Sequence, residues 1–281
     1  MKKDREEGSL ERKVMRELKQ RKLSQEHLRV LIGEIKNPTK ADRKAHHLPM
    51  KGSEIVYGVY GDRHVGSIFY DHAAVMRYAE EASKWGVQFM VDCGDSVDGS
   101  FNMHRGMWRE QSHRGFDDQL KELVEKTPDL GVPVYHINGN HDYSWLKTEG
   151  VNLGVHYEKN HKDVRHLGTS NAFLEVGKTN IQLLHPGGGG SYALSYRLQK
   201  IIESFEGGTK PHILHVNHFH KMAQVFYRNV HAFLDGCFQS QTHFMMEQGL
   251  AAHKGSWLVR VHPDKFGGVA DLETKFVPFY K

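Results

Sequence analysis

The stretch Ile213-Leu214-His215-Val216-Asn217-His218-Phe219-His220 constrains the fold of this chain more than any other. It is an apolar run of strand length that ends in two histidines two residues apart. Residues so spaced on a strand point to one face, so both imidazoles are expected to look into one site. Four earlier apolar runs end in a similar way, at Gly61-Asp62-Arg63-His64, Gly94-Asp95-Ser96-Val97-Asp98, Gly139-Asn140-His141-Asp142 and Leu184-His185-Pro186. In a chain with 21 histidines, any one of these ends alone reads as a turn residue or a satisfied histidine. The ordered set of five is what points to a shared site.

From residue 54 the pattern predicts how those ends are brought together. Ile55–Tyr60 reads as a strand, and Asp71–Trp85 carries Val75, Tyr78, Ala79, Ala82 and Trp85 at helical spacing. Phe89–Val91 is the next strand, Phe116–Lys126 a helix, and Val132–Ile137 a third strand. A β-α-β-α-β order implies a parallel sheet with right-handed crossovers, whose loops emerge together at the C-terminal strand ends. The second half is richer in strands, predicted over Ala172–Val176, Asn180–His185, His212–Asn217, Gln224–Val230 and Ser256–His262. One helix, Tyr192–Phe205, interrupts them.

Residues 1–53 have a different character. Leu10, Val14 and Leu18 form one apolar stripe, and Leu28, Leu31, Ile32 and Ile35 a second, with Ser24 as a cap and Asn37-Pro38 as a stop. These predict a basic helical arm, with residues 37–53 as a linker before a domain over 54–281. Residues 1–50 hold 14 Lys and Arg against 8 Asp and Glu, whereas the whole chain holds 38 against 34. The positive excess therefore belongs to the arm, which suits an anionic partner, nucleic acid first. A helical hairpin packed on the core or on a second subunit, giving a homo-oligomer, is the competing reading. No apolar run approaches membrane-spanning length, the N-terminus is charged and unlike a signal peptide, and the two cysteines, Cys93 and Cys237, suit buried thiols. The expectation is an intracellular, cytoplasmic protein.

Gathered by type, the strand-end groups are two carboxylates, one amide and four imidazoles. Mixed oxygen and nitrogen donors suit Mn²⁺, Fe or Zn²⁺ better than Ca²⁺ or Mg²⁺. Seven donors exceed one tetrahedral site and suffice for two metals if a carboxylate bridges. In this order D-x-H, G-D-x-x-D, G-N-H-D, a single His and a final x-H-x-H resemble the calcineurin-like metallophosphoesterase superfamily, over residues 54–262. The resemblance implies a four-layer α/β/β/α sandwich of two mixed sheets flanked by helices. It implies that Asp62, His64 and His220 hold one metal, that Asn140, His185 and His218 hold the other, and that Asp95 bridges them. His141 would stand unligated near the leaving group as an acid, oriented by Asp142 or a neighbour. The metals implied are two divalent transition ions, Mn²⁺ first, with Fe, Zn²⁺ or Ni²⁺ as alternatives. One departure is Asn217, where the last motif usually begins with Gly.

The superfamily does not fix the substrate, because function lives in the site. The Ser/Thr protein phosphatases of this superfamily carry Arg just after the second Asp of G-D-x-x-D and end the third motif in Glu. Gly99 and Asp142 stand there, so a monoester's extra charge lacks an expected partner. The motif layout is similar to that of the DNA-repair-type nucleases and other phosphodiesterases. It implies hydrolysis of nucleic-acid diesters through attack by a metal-bridging hydroxide. A phosphomonoesterase, a small cyclic-nucleotide phosphodiesterase, and a nucleic-acid-binding module with a vestigial site are the alternatives. His104 and Arg105 are candidate phosphate contacts or plain loop residues. Phe101, Met107 and Trp108 stack on bases or fill a core or an interface. Gly187–Gly190, with Ser191 in the cap position of the next helix, offers amides to an anion or simply turns the chain. The amides of Phe238–Thr242 face a base or another strand.

Overall fold

The computed structural model describes residues 45–100, 106–206, 208 and 210–279. The predicted helical arm, His104, Arg105 and Phe101 lie outside the described residues.

The central strand of the first sheet is β2 (Ile55–Tyr60), after a short β1 (Ala45–Leu48). Every residue of β2 is buried, as expected of a strand covered on both faces. Ile55, Tyr57 and Val59 face the other sheet, while Tyr60 packs toward the helices. Helix α1 (His72–Trp85) follows, because Asp71 accepts the Ala74 amide at 2.9 Å and Gly86 ends the last turn at φ 78°. Its Tyr78 hydroxyl takes the Val59 amide at 2.7 Å and donates to Trp257 O at 2.6 Å, which locks helix to sheet.

The chain continues through β3 (Phe89–Asp92), a 3-10 turn at Met107–Arg109, α2 (Phe116–Lys126), β4 (Val134–Asn138), α3 (Asn140–Glu149), α4 (Leu153–Asn160) and β5 (Val164–Thr169). Strands β2, β3, β4 and β5 are parallel, as the alternation of strand and helix predicts. The second half supplies β6 (Asn171–Val176), β7 (Thr179–Leu184), α5 (Leu194–Glu203), β8 (Ile213–Val216), β9 (Met222–Tyr227), β10 (Val230–Asp235), α6 (His243–Glu247), β11 (Gly255–Pro263) and β12 (Val269–Pro278).

Two six-stranded mixed sheets result, ordered β12-β11-β2-β3-β4-β5 and β1-β6-β7-β8-β10-β9. Between them lies an apolar layer in which Tyr57, Val59, Phe89 and Val91 meet Leu174, Ile181, Leu183, Ile213 and Phe233. Helices α1, α2, α3 and α4 cover the outer face of the first sheet, and α5 covers the second through Leu198 and Ile202 on Leu214, Val216 and Leu234. The expected four-layer α/β/β/α sandwich is observed. No helix among the described residues is long and apolar enough to cross a membrane.

Three local expectations differ. Residues 45–48, within the predicted linker, form β1 and pair in parallel with β6. The single strand predicted over Gln224–Val230 is a hairpin, because Arg228 and Asn229 both take positive φ, at 48° and 64°, and turn β9 back into β10. Ser191 does not cap α5. The helix begins after Ala193, whose carbonyl accepts the Ser191 hydroxyl at 2.7 Å.

Candidate metal centre

The predicted residues converge at the C-terminal ends of β2, β3 and β4 in one sheet and of β7 and β8 in the other. Asp62 and His64 follow β2, Asp95 follows β3, and Asn140 and His141 open α3 after β4. His185 follows β7, and His218 and His220 follow β8. The reason for the last pair differs from the expectation. Strand β8 stops at Val216, and His218 and His220 are held by a loop with φ of 84° and 51°, not by strand alternation. Asp62, His64 and Asp95 also have left-handed φ, at 47°, 52° and 52°. Each such residue costs about 1–3 kcal/mol, and strain of this kind concentrates at functional sites.

Neighbouring loops hold these conformations. The amides of Asp62 and His64 donate to Gly94 O and Asp95 O, both at 2.9 Å, so the loops after β2 and β3 extend the ladder. Asp95 Oδ1 accepts the His141 amide at the start of α3, at 2.8 Å. Gly139 allows that approach, since a Cβ there would lie 2.2 Å from Asp95 Oδ1. The buried Asp142 carboxylate accepts the amides of Gly139, Ser96 and Val97 at 2.9, 3.3 and 3.0 Å. Burial and the neighbouring Asp95 push this carboxyl up to about 7, and the Gly139 and Val97 amides pull it down.

One group gathers around His64 and His220, whose Nε2 atoms are 3.1 Å apart. Asp62 Oδ2 is 3.8 Å from His220 Nε2, and Asp95 Oδ2 is 3.8 Å from His64 Nε2. A second group gathers around Asn140 Oδ1, which lies 2.9 Å from His185 Nε2 and 2.8 Å from His218 Nδ1. Asp95 Oδ2 is 3.1 Å from His185 Nε2 and so faces both groups.

The remaining ring nitrogens fix the tautomers. His185 Nδ1 donates to Cys93 O at 2.8 Å, and His218 Nε2 donates to Gly188 O at 2.7 Å. In the neutral rings the opposite nitrogens then carry lone pairs, and both meet the amide oxygen of Asn140. Lone pairs that converge without a shared proton fit a cation, and backbone acceptors behind the rings are the usual outer support of metal-binding histidines. Burial holds His64, His218 and His220 below the ordinary histidine range, which favours the neutral form a metal needs. Burial also lowers His185, but Asp95 and Asp62 outweigh it and raise that ring to about 9, so without a cation its Nε2 holds a proton toward Asp95, and the neutral ring with its lone pair is the form a bound cation would select in that proton's place. Burial raises Asp62, while His185 and His141 hold Asp95 well below the carboxylate range against its own burial. The residues present therefore fit two adjacent divalent cations.

His141 stands at the first group, with its ring 4.5 Å from that of His64 and nearly perpendicular to it, and a nitrogen of that ring lies close enough to donor atoms of His64 and Asp95 to share a cation with them. Its Nδ1 donates to Asp98 O at 2.6 Å. The orienting hydrogen bond thus goes to Asp98, the neighbour, while the Asp142 carboxylate is taken up by loop amides. Asp98 was not singled out by residue type; its carboxylate oxygen is also 3.4 Å from His64 Nδ1. The second Asp of G-D-x-x-D was the available signal. Asn217 keeps an ordinary negative φ. Its side chain fills the space beside Gly61, where a Cβ would lie 2.1 Å from Asn217 Nδ2, and donates to Asp62 Oδ2 at 3.3 Å.

The outer candidates divide. Met107 is buried, whereas Trp108 is half exposed with the Arg109 and Arg114 guanidiniums 5.0 and 5.6 Å from its ring. Gly188 offers its carbonyl to His218. Gln239 in Phe238–Thr242 is buried and bridges to Tyr70, a structural role.

Residues 55–229 match the model of the calcineurin-like phosphoesterase family, and the chain belongs to that family. Solved structures similar to this one include an archaeal phosphodiesterase, 13% identical, covering 79% of this chain and 100% of its own, with a TM-score of 0.43. A hypothetical protein from Pyrococcus horikoshii is 11% identical over 81% of this chain and 89% of its own, with a TM-score of 0.47. A 5'-nucleotidase precursor from Thermus thermophilus is 11% identical over 80% of this chain and 54% of its own, at 0.42. Comparison with curated proteins returns no match.

Proposed function

We propose that the chain is a phosphodiesterase with a binuclear metal centre, acting on nucleic acid. The observation that carries this reading is the position of Asp95 Oδ2, which faces His64 on one side and His185 on the other. Asp62, His64 and His220 would hold one cation, and Asn140, His185 and His218 the other, with Asp95 shared. The donor set suits Mn²⁺ first, then Fe, Zn²⁺ or Ni²⁺. Two such ions, once bound, would supply Lewis-acid neutralisation of phosphoryl charge and a nucleophile at neutral pH.

The chain's own groups do the rest. Left-handed backbone holds five of the seven donors, Asp62, His64, Asp95, His218 and His220, in place before substrate arrives, so little reorganisation is needed during reaction. His141, fixed through Nδ1 on Asp98 O, would in its imidazolium form turn Nε2–H to the leaving-group oxygen and give up that proton to it. That role matters most for a diester, whose alkoxide leaves poorly. At Gly99, where the resembling phosphatases place a monoester-binding arginine, a Cβ would lie 2.5 Å from His141 O, so no side chain fits there, which also favours the diester.

The test is a metal-reconstituted substrate panel of a monoester, a simple diester, single- and double-stranded DNA, and RNA. Diester turnover above monoester turnover, with cleavage of at least one nucleic acid, is expected. Monoester turnover with none of the diesters cleaved would contradict the reading.

A further inference from the structure

The geometry points to Arg197 as the residue that binds the phosphate next to the scissile one in a polynucleotide, an inference that rests on the proposed phosphodiesterase function. Arg197 stands on α5, over the sheet that delivers His185, His218 and His220. Its guanidinium carbon is 5.1 Å from the centre of the Phe219 ring, and Phe219 lies between the two candidate ligands of the last motif. That ring meets the His218 imidazole edge-on at 5.2 Å. Arg197 Nη2 donates to Gly187 O at 3.0 Å, and the next carbonyl in the chain, Gly188 O, accepts the His218 Nε2 proton. The cation is thus built into the loop and the ring that support one side of the metal centre.

Its partners set it apart from the other buried or half-buried arginines of the fold. Arg63 pairs with Asp92 at 2.6 Å, and Arg260 pairs with Glu54 at 2.6 Å. Among the described residues Arg197 has no carboxylate partner; its Nε is enclosed, so the Nη groups, one of them already on Gly187 O, are what a ligand would meet. Stacking on an aromatic ring pre-orients a guanidinium while leaving its N–H edge free, and that edge matches phosphate oxygens. Gly187, Gly189 and Gly190 have open space where a side chain would project, so a strand has room to cross the loop. Tyr192, just beyond, is fully exposed and offers a face for a base. Arg197 lies beside the candidate ligands and not among them, which suits a flanking phosphate.

Arg197→Ala and Arg197→Lys are compared with the unaltered chain on a short single-stranded oligonucleotide, bis(p-nitrophenyl) phosphate and p-nitrophenyl phosphate, with metal content measured for each. The Ala variant is expected to raise KM for the oligonucleotide about tenfold or more, the scale of a lost charge-assisted hydrogen bond. Its salt slope should fall by about 0.7, the single-strand value for one phosphate. The small diester should suffer far less, and Lys should restore the salt slope but only part of the KM. An unchanged KM and slope would overturn the proposal. So would a parallel loss on every substrate together with metal, which would make Arg197 a prop for the Gly187–His218 loop. A loss concentrated on the monoester would assign the guanidinium to a terminal phosphate and overturn it too. If the unaltered chain turns over the small diester but no oligonucleotide, the nucleic-acid reading itself fails, and this proposal with it.

Discussion

His141 is tied at Nδ1 to the Asp98 carbonyl, as His185 is to Cys93 O, and one of its ring nitrogens also clusters with donor atoms of His64 and Asp95; the acid reading leaves it unligated. His141→Ala should therefore retain metal yet lose about 10²–10⁴-fold in rate, the usual range for a positioned acid. The loss should shrink for a nitrophenyl diester, whose leaving group needs no proton. Equal losses for good and poor leaving groups would remove the acid role, and loss of metal would make His141 a ligand. At this scale the donors were legible because each is a polar residue ending an apolar run. Their supports were less so. Asp98 acts partly through its carbonyl, Gly188 acts through its carbonyl alone, and Asn217 acts by filling the space beside Gly61. Backbone groups and packing leave no mark in residue type.

At the scale of elements, the parallel strands and α1 and α2 follow from apolar periodicity, because each buries one continuous face. The hairpin between β9 and β10 was hidden because its turn is Arg228-Asn229, without the glycine that usually signals one. Helix α3 was hidden because its first turn is the G-N-H-D motif, whose residues are chosen for the site and not for helix propensity. Strand β4 carries a further consequence in His136, which is fully buried beside Arg63 and His166. Burial, then Arg63, lowers this ring to about 3. A histidine depressed in the folded state contributes stability that is present above its unfolded pKa of about 6.5 and is lost as pH falls toward 3. Between pH 7 and pH 5 it should cost roughly 2 kcal/mol. Thermal or urea unfolding of the unaltered chain and of His136→Gln across that range tests this. The variant should show the shallower pH dependence, and parallel curves would contradict it.

At the scale of the whole molecule, the candidate centre exists only where the two sheets meet. Asp62, His64, Asp95 and Asn140 come from one sheet, and His185, His218 and His220 from the other. If these groups hold metal as proposed, metal binding and sheet packing are coupled, since a site absent from the unfolded chain adds its binding energy to folding. This coupling was legible in outline, because the five strand ends could share a site only if the two halves of the chain packed face to face. The central claim is that Asp95 joins two metal positions. Asp95→Asn is a clean probe, because an asparagine oxygen can still accept the His141 amide while the negative charge between the two groups is lost. Elemental analysis and metal titration of the unaltered chain, Asp95→Asn and His64→Ala measure the claim directly. Two transition metals per chain are predicted, with occupancy falling at both positions in Asp95→Asn and mainly at one in His64→Ala. A single metal per chain, unchanged by Asp95→Asn, would contradict the account.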